Sequence, residues 1–317
     1  MKLVRTWLAV LLVSCQPVID PVMVPRGGTT LPSPRSGPPH VSGRLDDRRV
    51  EFQFEGGQLE LELYREGTRI EQIARNRYAV PVMIHWTIEA LDNVEPRSPV
   101  EGTVLLPAAS APFGTGEPVV LAGLAQIDPA ARYRRDLYVH AQFGDPRAYP
   151  EPYVYALPYP HGRTFAVLQG FHGAFSHRGN NEYAVDFNCP VATPVVAARP
   201  GLVVAINASA QGSGTSSEFL DDKRGNFVIV RHADGTLGEY MHLSPSGVEV
   251  RPGQRVERGQ ELALSGNTGF SSTPHLHFQV MTAAFDGMAK QSFPFEFALG
   301  PRHASVPVQG QRYAAWE

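Results

Sequence analysis

Alternation of apolar and polar residues, with no helical period, organises this chain. Leu59, Leu61 and Leu63 alternate with Glu60 and Glu62, and Val82, Ile84, Trp86 and Ile88 alternate with Met83, His85, Thr87 and Glu89. Leu137, Val139, Ala141 and Phe143 repeat the habit. Successive side chains of a strand point to opposite faces, so these runs predict strands with one dry face. Turn signals at Glu55 to Gly57, at Asp92 and Asn93, and around Gly114 to Pro118 separate them. Together they predict a small β-sandwich-like unit over residues 46–160. His85 and His140 fall on strand faces with no carboxylate or second histidine close by in sequence, and read as solvated or structural.

From about 163 to 297 shorter apolar runs and glycine turns follow each other: Val195 to Ala198, Gly201 to Ile206, Phe227 to His232, Leu237 to His242, Glu261 to Leu264, and Leu276 to Val280. The chain is therefore expected to be all-β throughout. The aromatic, proline-broken stretch Tyr153 to Gly162 is expected to pack between the two units, with His161 in a surface loop. The break at 207–224, rich in Ser and Gly, predicts either a rim or lid, or an insertion without structure of its own. Phe293 to Phe297 reads as a last apolar patch docking on a domain, and 300–317, with His303, as a loose solvated tail.

The N-terminal residues have a different pattern. Lys2 and Arg5 precede the apolar run Trp7 to Val13, which is too short to span a bilayer and fits a secretion signal. Leu12, Val13, Ser14 and Cys15 resemble a bacterial lipobox, with Cys15 as the lipidated residue; Gln16, not Asp, follows it, which by the same resemblance favours the outer membrane. Residues 16–45 are rich in proline and read as a tether of extended chain at about 3.1 Å per residue. Periplasmic localisation with a lipid anchor at Cys15 is the expectation. The expected organisation is leader 1–15, tether 16–45, accessory unit 46–160, catalytic unit 161–299 and tail 300–317.

Composition is that of a globular protein, with 43% hydrophobic and 19% charged residues. A net charge of -3 offers no basic surface, so nucleic acid is excluded as a partner. Once Cys15 is lipidated only Cys189 remains, so no intrachain disulfide is available, and Cys189 reads as a small buried apolar residue.

Six of the eleven histidines fall between 172 and 277. In Pro274, His275, Leu276, His277, Phe278, the i, i+2 spacing on a strand turns both imidazoles into one space while Leu276 and Phe278 face a core. Neutral imidazole is a good zinc ligand. Asp186 sits in Tyr183, Ala184, Val185, Asp186, Phe187, where apolar neighbours bury a carboxylate that then needs a partner such as a cation. His172, His177, Glu182, His232 and His242 complete the candidates for metal chemistry.

Combined, several of these segments are more specific than any one of them. They are Ser176, His177, then Tyr183 to Phe187, Thr193, Pro194, Val195, then Gly225, Asn226, Val228, then Tyr240, Met241, His242, Leu243, then Ser265 to Gly269, and Pro274 to Phe278. Over roughly 165–285 this series resembles the LytM/lysostaphin-type zinc peptidases, the M23 peptidoglycan endopeptidases. The resemblance implies an antiparallel β domain akin to a duplicated hybrid motif. It further implies one Zn2+ per chain held by Asp186 and His277, with His242 and His275 flanking the attacking water as catalytic residues. The family's common pattern has a histidine four residues before the aspartate, where this chain has Glu182. A subgroup carries it in a Phe-Ser-His element, here Phe175, Ser176, His177, which makes His177 the third ligand by resemblance, with His172 and Glu182 as alternatives. His232 reads as a structural strand-end residue. The implied substrate is peptidoglycan and the implied reaction cleavage of a D-alanyl to meso-diaminopimelate cross-link. The alternative is an inactive LytM-type binding module that activates a cell-wall amidase.

Overall fold

A computed structural model describes residues 41–316, all within one packed unit, Arg35–Glu317; the leader, Cys15 and most of the tether lie outside the described residues. Among the described residues helix is confined to three 3-10 turns, Gly179–Asn181, Ser217–Leu220 and Asp222–Arg224, and the rest of the regular structure is strand. The chain is all-β, as its alternation predicts.

Residues 41–150 form two antiparallel sheets. One runs in the spatial order Arg44–Phe54, Gly57–Glu66, Arg69–Asn76, Pro118–Gln126, Val94–Pro96, and the other Glu101–Leu106, Val82–Asp92, Arg134–Phe143. Leu59, Leu61, Ile84, Trp86, Leu121 and Leu137 meet in a shared core, the dry side of the alternation read in the sequence.

The main sheet runs in the order Arg255–Val256, Gly201–Asn207, Phe227–Arg231, Leu237–Met241, Leu276–Ala283, Ala184–Phe187, Thr164–Gln169, Arg312–Ala314, with Lys290–Phe293 added beside Leu276–Ala283. One face packs Val203, Val228, Val230, Tyr240, Phe278 and Val280 into a core that also takes Phe293, Phe295 and Phe297. The opposite face divides in two. Ala205, Phe227, Ile229, Leu237 and Met281 are buried against the two N-terminal sheets. Further along the same face, Asp186 and His277 stand opposite each other on adjacent strands.

The joint between these parts has its own chemistry. Phe54 meets Phe227 edge-on at 5.0 Å between ring centroids, and Glu55 and Ile206 exchange backbone hydrogen bonds of 3.1 and 3.0 Å. Gly56 next to them has φ +115°, and a Cβ there would lie 2.4 Å from the carbonyl oxygen of Val204, so only glycine lets the chains approach this closely. Arg231 donates to the carbonyl of Ala79 at 2.9 Å, and Thr282 to that of Asp145 at 2.8 Å.

Three expectations need correction, and of the two readings of the 207–224 break the structured rim is the one that holds. Tyr153 to Gly162 does not lie between the two parts: Tyr155, Leu157 and Tyr159 are buried in the core on the far face of the main sheet, because their rings find Phe278, Phe187 and Phe295 there. The expected tail 300–317 is not loose over its described residues, 300–316. Arg312–Ala314 pairs with Thr164–Gln169 as an edge strand, and Tyr159 donates its hydroxyl to the Tyr313 carbonyl at 2.8 Å. The 207–224 break carries the strand Ser213–Gly214 and two of the 3-10 turns, and pairs in parallel with Gly269–Phe270. His85 and His140 are direct cross-strand partners, with Glu101 Oε1 3.7 Å from His85 Nε2; strand register, invisible in linear spacing, brings them together.

Because the joint is part of a continuous apolar core, Phe54→Ala is expected to cost about 3 to 5 kcal/mol of stability while leaving one cooperative transition. Urea unfolding followed by fluorescence and circular dichroism checks this. Separate transitions for the two parts, or a cost below about 1 kcal/mol, would contradict the shared core.

Candidate metal centre

Backbone register sets the centre of the site. Asp186 is the cross-strand partner of Gln169 on one side and of His277 on the other, and His277 in turn is paired with Met241. Alternation then does the rest: Val185 and Phe187 enter the core and Asp186 is left on the other face. His275 sits at an isolated bridge to Gly266, just before the strand that carries His277. His242 follows the strand Leu237–Met241 with φ +61°, a left-handed turn that lets consecutive residues re-aim. His177 comes from the loop between Thr164–Gln169 and the turn Gly179–Asn181, with no strand to hold it.

All five residues meet. His277 Nδ1 lies 2.9 Å from Asp186 Oδ1, His177 Nε2 lies 3.1 Å from Asp186 Oδ2, and His275 Nε2 lies 3.8 Å from Asp186 Oδ1. The His242 ring is 4.5 Å from His275 and 5.8 Å from His277 between centroids. One donor atom from each of His177, Asp186 and His277 falls within a sphere in which all lie within 4.8 Å of one another, and all three residues are buried. His172 and Glu182 do not join them. They pair with each other at 3.2 Å, both side chains largely exposed. His232 is buried with Nδ1 donating to the Pro200 carbonyl at 3.0 Å, and Cys189 is buried with its thiol pushed up to about 12 by burial.

Tautomers follow from the partners. A carbonyl oxygen only accepts, so His177, His242 and His275 each carry their proton on Nδ1, donating at 2.8 Å to Gly170, Thr268 and Thr273 respectively. In the neutral form of each ring, Nε2 is then the bare lone pair. Burial pushes the His242 ring down to about 3, helped by His275 and His277, and burial likewise lowers His277. Burial alone would raise Asp186, but the facing His177 ring, the hydrogen bond from His277 Nδ1 and the neighbouring ring of His275 hold it well below the usual carboxylate range.

The donor set fits a divalent cation. His177 Nε2 and His277 Nε2 are buried without a hydrogen-bond partner, and His177 Nε2 faces a carboxylate oxygen at 3.1 Å without hydrogen-bond geometry. Unpaired buried nitrogens around an ionised buried carboxylate are costly in an apo protein and are what a metal ion satisfies. Two imidazoles and one carboxylate are also a common catalytic zinc set, which leaves one position open.

Asp186, His242, His275 and His277 floor a groove of about 440 Å³, with His177 buried behind them. Phe175 and Leu220, each 64% exposed, stand at its rim, and Phe175 stacks on Phe270 at 6.1 Å. The 207–224 segment supplies Phe219 to Asp222 to the wall, as a rim. Behind His277, Glu239 is buried against Gln279 and the Lys290 ammonium, the latter at 2.8 Å; although burial would raise Glu239, Lys290 holds its carboxyl down. Neither Glu239 nor Lys290 stands out in the sequence, because their pairing depends on register between three strands.

Residues 180–290 match the sequence model of Peptidase family M23. The match includes Asp186, His242, His275 and His277 and begins three residues after His177. Glycyl-glycine endopeptidase ALE-1 of Staphylococcus capitis is 39% identical over 124 residues, 38% of this chain and 31% of that protein. Peptidoglycan DD-endopeptidase ShyA of Vibrio cholerae is 35% identical over 96 residues, 30% of this chain and 19% of that protein. Lysostaphin of Staphylococcus simulans is 33% identical over 141 residues, 44% of this chain and 26% of that protein. The chain thus spans less than a third of the length of each of these relatives. The solved structure of the antimicrobial peptidase lysostaphin from Staphylococcus simulans aligns with a TM-score of 0.31 at 29% identity, over 43% of this chain and 52% of that one.

Three buried rings titrate below the ordinary histidine range: His242, His277, and His232, which burial lowers to about 4. The unfolded chain takes up these protons near pH 6.5, the folded chain much later. Stability of the metal-free protein is therefore complete above about pH 6.5 and falls as pH drops toward 4, by about 1.4 kcal/mol per pH unit per ring. Urea midpoints between about pH 7 and about pH 5 measure it; a flat or rising profile on acidification would contradict the burial of neutral rings.

Proposed function

We propose, from the M23 peptidase domain that residues 180–290 form, that this protein is a zinc-dependent endopeptidase that cleaves peptide cross-links of peptidoglycan. The observation that carries this reading is the meeting of His177, Asp186 and His277, with Asp186 and His277 at the floor of an open groove and His242 and His275 beside them. His177, Asp186 and His277 would hold the ion. When bound, zinc supplies a Lewis acid that polarises a carbonyl and acidifies a water.

The remaining chemistry belongs to the side chains. His242 and His275 each present an unprotonated Nε2, fixed by donation from Nδ1 to a backbone carbonyl. One accepts the proton of the attacking water; that proton is then returned to the amine leaving group as the amide C–N bond breaks. The other ring, its Nε2 also a lone pair, accepts a hydrogen bond from the same water and orients it for attack. Neutral rings at rest suit both tasks, and burial keeps His242 neutral.

Support for the bond cleaved comes from ShyA, named a peptidoglycan DD-endopeptidase; the reading assigned to this chain is the D-alanyl to meso-diaminopimelate cross-link. ALE-1 is named for glycyl-glycine cleavage, which defines the competing product. On the same reading the chain works in the periplasm, anchored to the outer membrane through Cys15 after removal of residues 1–15 less Cys15. The support is the lipobox-like Leu12 to Cys15 sequence, which lies outside the described residues.

The purified protein is expected to carry about one zinc and to release monomers from cross-linked diaminopimelate muropeptides, read by mass spectrometry. His275→Ala should retain zinc and lose turnover by about 100-fold or more, whereas His277→Ala should lose the metal. Equal zinc content in the two variants would contradict the division of roles. A metal-free protein that cleaves nothing yet stimulates an amidase would replace this reading with that of a binding module. Labelled palmitate should be incorporated by the native chain and not by Cys15→Ala; incorporation by both would exclude that anchor.

A further inference from the structure

His177 is the one cluster member carried by a loop, and its position depends on how residues 170–178 are tied down. Gln169, the last residue of the strand Thr164–Gln169, is 6% exposed and is the cross-strand partner of Asp186. Its Oε1 accepts from the backbone N–H of Phe175 at 2.8 Å and of Ser176 at 3.1 Å. Its Nε2 donates to Ser176 Oγ at 2.9 Å and to Asp186 Oδ2 at 3.2 Å. Every donor and acceptor of the amide is used, and the two backbone donors fix which end is oxygen.

We propose that Gln169 is a positioning residue that fixes the His177 loop and the Asp186 carboxylate in one geometry, and so sets the affinity of the centre for its metal; the metal part of this rests on the zinc reading above. The loop is wound directly on this side chain. A Cβ on Gly173 would fall 2.1 Å from Gln169 Cγ, so the glycine is needed for space. The next residue after Gln169 completes the fixture, since the Gly170 carbonyl takes the Nδ1 proton of His177 and leaves Nε2 directed at Asp186. Asp186 Oδ2 thus lies between the Gln169 amide and the His177 ring, and one amide connects two ligands nine residues apart in sequence. Donors of this kind behind metal ligands are worth about 10- to 100-fold in metal affinity.

Two substitutions separate hydrogen bonding from volume. Gln169→Met fills the same space and makes none of the four bonds; Gln169→Glu keeps an acceptor for both loop amides. In the metal-free full chain, amide hydrogen exchange at Phe175 and Ser176 should accelerate on the order of tenfold in Gln169→Met and stay near the native rate in Gln169→Glu. Zinc affinity of Gln169→Met, by competition with a chelator, should fall about 10- to 100-fold. Native exchange rates in Gln169→Met, or equally fast exchange in Gln169→Glu, would overturn the loop-fixing role, and the second test stands even if Gln169→Met does not fold. Fast exchange with native zinc affinity would overturn the link to the metal. A native protein that binds no zinc would remove the zinc reading alone, because the exchange measurement does not depend on it.

Discussion

A carboxylate buried as deeply as Asp186 stays ionised only if its surroundings compensate the lost hydration, and in this chain the donors are His277 Nδ1 at 2.9 Å and the Gln169 amide at 3.2 Å, with a cation left to complete the compensation. Much of the surrounding architecture follows from that requirement. Strand register sets His277 and Gln169 on either side of Asp186. A left-handed residue turns His242 toward the same point, and backbone carbonyls hold the protons of three rings away from it. The result is a concentration of lone pairs around one negative charge, which is stable chemistry for a divalent cation and poor chemistry without one.

The two N-terminal sheets take part in this arrangement without entering the groove. They cover Phe227, Ile229, Leu237 and Met281, which belong to the same sheet face as the metal cluster. Met241 is packed against that apolar cover and also lines the groove. The accessory part is thus a structural neighbour of the site: it buries the rest of the face, and a rigid core stands behind the residues that must hold sub-ångström positions.

Much of the fold was legible because alternation survives in the sequence: the strands holding Leu59 to Leu63, Val82 to Ile88 and Leu276 to Val280 fall where the pattern put them. Asp186 and the His275, His277 pair were legible for the same reason, being polar residues out of place in apolar runs. Other features were not, since they arise from pairing between distant strands. Linear spacing does not bring His85 opposite His140 or Glu239 beside Lys290, and it gives no sign that Arg312–Ala314 closes an edge of the main sheet. The motif Phe175, Ser176, His177 marked a ligand by resemblance. It said nothing of Gln169, a neutral residue whose importance lies entirely in the orientation of one amide.

The central claim is that His177, Asp186 and His277 hold a single ion while His242 and His275 stand beside it. Anomalous diffraction at the zinc edge from crystals of the full chain measures this directly. One peak within bonding distance of His177 Nε2, an Asp186 oxygen and a His277 ring nitrogen is the expected result. A peak bound instead by His172 or Glu182, or no peak at the cluster in crystals grown with zinc, would contradict it.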